Sequence, residues 1–133
     1  MSFLLDTNIL SAHLKRPGGL THRFIQHGGR LFTSSICLAE LYVWAFGKAD
    51  ITKTMAVIEQ MLKYEVTAIS FNDDAAREYA RLRRLLKPLG IPVSPPDLFI
   101  AAVAMSSDLT LVTHNTADFE RIPDLRLVDW LAN

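Results

Sequence analysis

Four acidic residues of this chain lie where a solvated surface charge is not the simplest explanation. Asp6 directly follows the apolar run 3–5, and Asp118 follows a strand pattern. Glu40 lies within an apolar helical pattern, and Asp97 precedes a segment that is apolar almost all round. Carboxylate oxygens are the ligands that hard divalent cations such as Mg²⁺ and Mn²⁺ prefer. The four acids therefore predict a metal site.

Three of these acids also have an ordinary structural explanation. Asp6 and Asp97 are both suitable helix N-cap residues. The prolines of 95–96 suit an extended approach to the helix that begins near Asp97. Asp118 comes three residues after Asn115, which resembles a capping box with Asp in place of Glu. Residue type does not decide between capping and metal binding, so the position of each acid relative to the sheet must decide.

Glu40 is harder to explain as a surface charge. Its neighbours on one helical face are Ile36, Cys37, Val43 and Trp44, which are apolar. A carboxylate buried on such a face must be neutralised, paired or bound to a metal. No Lys or Arg is spaced to pair with Glu40 locally, so a distant Arg or a metal remains. Cys37 is interpreted as a small core residue.

The chemistry of this donor set points to phosphodiester hydrolysis. A divalent ion can activate a water molecule and neutralise a phosphate, whereas the histidines lack the spacing of a zinc motif. We expect Asp6 and Asp97 to bind Mg²⁺ or Mn²⁺ directly, Glu40 to bind it or act through water, and Asp118 to complete a second metal position or a water relay. The polar neighbours expected to orient these carboxylates are Thr7, Asn8, Thr113 and Asn115.

The elements that must position these residues alternate along the chain. Apolar runs bounded by turn residues predict five strands, and 3.6-residue periodicity predicts the helices between them. The predicted strands are 1–5, 30–33, 66–71, 109–113 and 126–128; the main helices are 7–14, 20–27, 35–47, 51–63, 72–87 and a segment from 97. Such alternation is typical of an α/β fold with a mostly parallel sheet, in which ligands bind at the carboxyl ends of the strands.

Composition sets the remaining limits. The chain has 133 residues, half of them hydrophobic, which suits one domain over residues 1–133. Its 14 basic residues balance 14 acidic ones, but only ten acidic residues remain if metal ions neutralise the four candidates. A single cysteine excludes an internal disulfide. No apolar run approaches the ~20 residues of a membrane span, so we expect a soluble, cytoplasmic protein.

Four segments in this order resemble the PIN-domain nucleases, and most closely the VapC-type toxins of bacterial toxin–antitoxin pairs. The matching segments are 5–9 around Asp6, 39–41 around Glu40, 97–102 from Asp97, and 111–119 ending near Asp118. The resemblance implies a three-layer α/β/α fold, a Mg²⁺- or Mn²⁺-dependent endoribonuclease that inhibits translation and growth, a homodimer, and inhibition by a cognate antitoxin. Two small departures are His114, where the family often has a basic residue, and the prolines of 95–96 that precede Asp97; neither removes an acid.

Evidence for RNA binding in the residues themselves is limited to two basic groups. Arg77, Arg81 and Arg84 fall on one face of the helix 72–87, where they could attract phosphates or form an ordinary solvated face. Lys15 and Arg16 could line a substrate groove beside a Gly-rich turn. A housekeeping RNA-processing nuclease and a catalytically idle binding domain remain alternatives to the toxin.

Overall fold

The computed structural model describes residues 1–132, and Pro17 by its backbone alone. The strands are β1 (Phe3–Leu5), β2 (Leu31–Ser34), β3 (Thr67–Ile69), β4 (Thr110–Val112) and β5 (Leu127–Val128). The helices are α1 (Thr7–Lys15), α2 (Thr21–Gln26), α3 (Ser35–Phe46), α4 (Ile51–Tyr64), α5 (Asp73–Leu86), α6 (Pro95–Ser106) and α7 (Thr116–Phe119). The predicted alternation of strands and helices is confirmed.

The five strands form one parallel sheet in the order β3-β2-β1-β4-β5, with helices on both sides. The α/β/α architecture is therefore confirmed, and the sheet is entirely rather than mostly parallel. Its central strands β1 and β4 are buried along their whole length, as their continuous apolar sequences predict. The edge strand β3 is largely exposed.

The register of β1 and β4 brings their carboxyl ends together. Leu5 is aligned with Val112, so Asp6 and Thr113 leave the sheet side by side. β2 lies on one side of β1 and β4 lies on the other, so the order of the strands reverses direction at β1. Such a change in direction opens a crevice at the carboxyl ends of the strands, where ligands bind in α/β sheets.

The predicted turn at 17–19 takes the form of a short 3-10 helix. One local prediction is wrong. Pro95 and Pro96 do not approach α6 in extended form but occupy its first two positions, where a missing backbone N–H costs no helical hydrogen bond. The helix cap is Ser94. Within residues 1–132, no helix has the length and apolar character needed to cross a membrane.

Candidate metal centre

Asp6 lies at the carboxyl end of β1 with 5% of its surface exposed. Oδ1 accepts a 2.8 Å hydrogen bond from the backbone N–H of Thr7 and a 3.5 Å one from the Cys37 thiol. Oδ2 accepts a 2.8 Å bond from the Thr113 hydroxyl and a 3.3 Å bond from the Asn8 amide. Asp6 is thus the N-cap of α1 and also the centre of a polar network. Its role in capping the helix therefore does not exclude metal binding.

The four predicted acids share one electrostatic neighbourhood. Burial raises the pKa of Asp6 above the ordinary carboxyl value, against the opposing effect of its hydrogen bonds, and the charge of Asp97 raises it further. Burial likewise raises the pKa of Asp97, and the charges of Asp118 and Glu40 add to the shift. Within residues 1–132, no Lys or Arg lies within salt-bridge distance of these acids.

Asp97 is held by the start of α6. It is the third residue of the helix, and its backbone N–H donates a 3.4 Å hydrogen bond to Oγ of Ser94. The expectation that Asp97 could be the N-cap is therefore wrong, because Ser94 performs that role. The Asp97 carboxyl is not needed for capping and is half-buried near the other acids.

Glu40 differs from its sequence-based interpretation. Its side chain is exposed, so the apolar residues around it do not enclose it. The face of α3 that enters the core carries Cys37, Leu41 and Ala45 instead. Oε1 of Glu40 accepts a 2.7 Å hydrogen bond from the Thr7 hydroxyl, which directs the carboxylate toward α1. A salt bridge from a distant Arg, the alternative explanation, does not form within the described part of the chain.

Asp118 lies on the four-residue helix α7 and is exposed. Its backbone N–H donates to the carbonyl oxygen of Asn115 at 3.1 Å, but the Asn115 side chain makes no capping hydrogen bond. The capping-box explanation of Asp118 is therefore wrong. The negative charge of the Asp118 carboxylate contributes to the raised pKa of Asp97.

The predicted supporting residues surround Asp6, though not all through their side chains. Asn8 donates to both Asp6 and the Thr113 hydroxyl, the latter at 3.2 Å. Asn115 takes part through its backbone N–H, which donates to Oγ1 of Thr113 at 3.1 Å. The Thr7 hydroxyl orients Glu40. These contacts fix the positions of two of the four carboxylates.

Sequence reasoning missed Cys37 as a member of the site. One ligand atom from each of Asp6, Cys37 and Glu40 lies within 4.8 Å of the others. Burial raises the pKa of the Cys37 thiol to about 12, and the charges of Asp6 and Glu40 contribute. The signal was its helical spacing three residues before Glu40, but a buried cysteine is usually a core residue.

The predicted basic residues are less uniform than their spacing indicates. Arg81 is ion-paired with Glu78. Arg77 and Asp74 are both exposed, with 4.0 Å between their charged atoms. The remaining three are exposed: Arg84 on α5, and Lys15 and Arg16 at the end of α1.

Comparisons with known proteins place these features in a family. Residues 3–125 match the model of the PIN domain. Ribonuclease VapC1 of Haemophilus influenzae (strain R2866) is 36% identical over 133 residues, and tRNA(fMet)-specific endonuclease VapC of Shigella flexneri is 35% identical over 131; each match covers 98% of both chains. A crystal structure of DNA-bound VapBC from Salmonella typhimurium matches with a TM-score of 0.90 at 34% identity, covering 98% of both chains. VapBC-1 from nontypeable H. influenzae matches at 0.87 and 35%, covering 99% of this chain and 100% of the other.

Proposed function

Because the chain belongs to the PIN-domain family and to its VapC-type ribonucleases, we propose that it hydrolyses RNA phosphodiester bonds with a bound Mg²⁺ or Mn²⁺ ion. Residues 1–133 form the single nuclease domain in this proposal. The observation that carries the proposal is the buried Asp6 carboxylate. Three further acids lie near it or are linked to it through other residues. Within residues 1–132, no basic residue pairs with it.

The donor set fits a small, hard divalent cation. Asp6, Glu40, Asp97 and Asp118 provide oxygen ligands only, and their unneutralised charge is the condition that a cation relieves. Cys37 does not argue against such an ion, because a thiol with a pKa of about 12 remains neutral at physiological pH. When bound, the ion would supply charge neutralisation at the phosphate and activation of the attacking water.

The protein side of the reaction follows from the hydrogen bonds. Asp6, at the end of β1, and Asp97, near the start of α6, would hold the ion, and Glu40 on α3 would complete or orient its ligand shell. Thr113 and Asn8 keep the Asp6 carboxylate from rotating. The exposed Asp118 carboxylate would complete a second metal position or a water relay.

The biological role in this proposal is that of a toxin controlled by an antitoxin. The relatives of known structure include VapBC complexes from S. typhimurium and H. influenzae. On this chain, two adjacent clefts of about 430 and 400 Å³ lie among α1, α2 and α4, on either side of the His13–Glu65 hydrogen bond. Ile25, Val57 and Tyr64 expose apolar surface there. We place the antitoxin on this surface.

The RNA is proposed from one relative by name. The S. flexneri protein is called a tRNA(fMet)-specific endonuclease, so initiator tRNA is the first substrate to test. A homodimer is the assembly that we propose for the toxin.

The decisive experiment joins cleavage in cells with metal dependence in solution. New 5′-phosphate RNA ends are mapped after brief induction, with Asp97→Asn and the matched control Asp73→Asn at equal protein levels. Asp73 is an exposed acid at the start of α5. Discrete new ends and growth arrest with the natural chain and Asp73→Asn, but not with Asp97→Asn, are expected.

The other outcomes separate the alternatives. Specific cleavage without growth arrest would identify a housekeeping nuclease. Cleavage by the purified protein that survives EDTA would overturn the metal-dependent mechanism. RNA binding without cleavage in any condition would leave a binding domain.

A further inference from the structure

His114 and Asp129 form a hydrogen-bonded pair at the carboxyl ends of β4 and β5. Nδ1 of His114 and Oδ2 of Asp129 are 2.9 Å apart. The other Asp129 oxygen accepts a 2.8 Å hydrogen bond from the backbone N–H of Leu131. Asp129 is only 15% exposed, whereas His114 is 56% exposed. A mostly buried carboxylate with both oxygens engaged therefore holds an imidazole that faces solvent.

The backbone of His114 is tied to the same network as Asp6. Its N–H donates a 3.0 Å hydrogen bond to Oδ1 of Asn8, whose amide group donates to Asp6. The preceding residue, Thr113, donates directly to Asp6. The backbone of His114 is therefore linked to the carboxylate cluster, while its ring extends to Asp129 at the end of β5.

This arrangement determines which ring nitrogen is available. Because Asp129 accepts a hydrogen bond from Nδ1–H, the nitrogen left for an incoming ligand is Nε2. When the ring is protonated, Nε2–H is a positively charged donor. Such a donor forms strong hydrogen bonds with phosphate oxygens.

We propose that His114 binds an RNA phosphate through Nε2 and that Asp129 positions its ring. This inference rests on the proposed nuclease function and assigns one of its substrate contacts. The charged group in contact with the ring is Asp129. His114 thereby acts on the binding of RNA and not on the binding of metal.

The test compares His114→Ala, His114→Arg, Asp129→Asn and the double variant His114→Ala/Asp129→Asn. Binding of a fluorescein-labelled tRNA(fMet) transcript is followed by anisotropy in EDTA over a range of salt concentrations, and KM and kcat are measured with Mn²⁺. We expect His114→Ala to weaken binding and raise KM about tenfold, the size of one charge-assisted contact. The salt slope should fall by about 0.7, the value for one single-strand phosphate contact.

Two further results are required. His114→Arg provides a positively charged donor at this position and should restore most of the affinity, whereas Asp129→Asn should weaken binding only while His114 is present. Mn²⁺ affinity by calorimetry and the melting temperature should stay at wild-type values in His114→Ala.

An unchanged dissociation constant in His114→Ala would overturn the inference, and so would an Asp129→Asn effect that persists without His114. Failure of the natural chain to bind the transcript or the RNA identified by end mapping would also overturn it. A natural chain that binds RNA but does not cut it would contradict the nuclease function alone, because the binding comparison still decides the role of His114.

Discussion

The Thr113 hydroxyl donates a 2.8 Å hydrogen bond to Oδ2 of Asp6 and so joins the ends of two neighbouring strands. The same hydroxyl oxygen accepts from the Asn8 amide and from the backbone N–H of Asn115. Thr113 is fully buried, so water cannot readily replace it. The Thr113 hydroxyl thus connects the Asp6 carboxylate with Asn8 on α1 and with Asn115 just before α7.

Thr113→Val should therefore weaken metal binding without disturbing the sheet. Valine has nearly the same shape but leaves Asp6 and Asn8 without their shared partner, and loss of a group that orients a metal ligand typically costs 10- to 100-fold in affinity or activity. Calorimetric titration with Mn²⁺ measures the loss. The matched control is Thr110→Val, at the opposite end of β4, whose hydroxyl accepts from Arg126 instead. Equal losses in the two variants would contradict the assignment.

The raised pKa of Asp6 predicts how stability without metal depends on pH. The folded protein holds the Asp6 proton to a higher pH than the unfolded chain does, and Asp97 is shifted in the same direction. Between the unfolded and folded pKa values the native state binds more protons, so stability in EDTA falls as the pH rises through that window. The loss is complete above the folded pKa and absent below the unfolded value of about 4.

Asp6→Asn removes this ionisation, and the amide oxygen of the new side chain can still accept from the Thr113 hydroxyl. In EDTA we expect the variant to melt several degrees above the natural protein at pH 8 and at nearly the same temperature at pH 4. Scanning calorimetry at the two pH values checks this. Addition of Mn²⁺ should raise the melting temperature of the natural protein alone. A larger difference at pH 4 than at pH 8 would show that the sign is wrong.

Much of the fold could be predicted because its signals are local. The continuous apolar sequences of β1 and β4 reflect burial on both faces, and the absence of polar residues from most of α6 reflects its burial in the core. Asp6 could be placed at the sheet edge because it directly follows a strand. The neighbourhood of four acids follows from the parallel sheet, which brings distant segments to one edge.

The errors occur where tertiary contacts decide. Glu40 has apolar neighbours in sequence, but α3 turns Cys37, Leu41 and Ala45 inward and leaves Glu40 exposed. Cys37 joins the site only because α3 packs beside α1, a contact that 31 residues of separation conceal. The cap of α6 was misplaced because Pro95 and Pro96 fit both an extended chain and a first helical turn.

The Thr7 hydroxyl is expected to position Glu40 for the reaction. Its 2.7 Å hydrogen bond is the contact that restrains an otherwise exposed carboxylate. Thr7→Val should lower kcat for RNA cleavage several-fold, whereas Thr7→Ser, which keeps the hydroxyl, should retain it. Steady-state kinetics with Mn²⁺ compare the two. If Thr7→Ser loses as much activity as Thr7→Val, the methyl group rather than the hydroxyl is important.

The arginines of α5 should contribute unequally to RNA binding. The charge of Arg81 is already paired with Glu78, whereas Arg84 is exposed and has no ion pair within the described residues. We expect Arg84→Gln to weaken binding about two- to fivefold at low salt, since an exposed charge contributes less than about 1 kcal/mol. Arg81→Gln should change it less. Fluorescence anisotropy measures the RNA affinity of the two variants. A greater effect of Arg81→Gln would show that the Arg81–Glu78 ion pair opens to bind RNA.

Cys37 should be unreactive in the folded protein although it lies in the proposed active site. Its pKa of about 12 leaves about one thiol in ten thousand as thiolate at pH 8, against about a quarter for an ordinary cysteine. Iodoacetamide should therefore label the folded chain at least about 10³-fold more slowly than the urea-unfolded chain. Because Cys37 is the only cysteine, mass spectrometry counts the modification directly. Rapid labelling of the folded protein would mean that the thiol is ionised beside Asp6, in which case it could bind a soft metal ion and would no longer be only a hydrogen-bond donor.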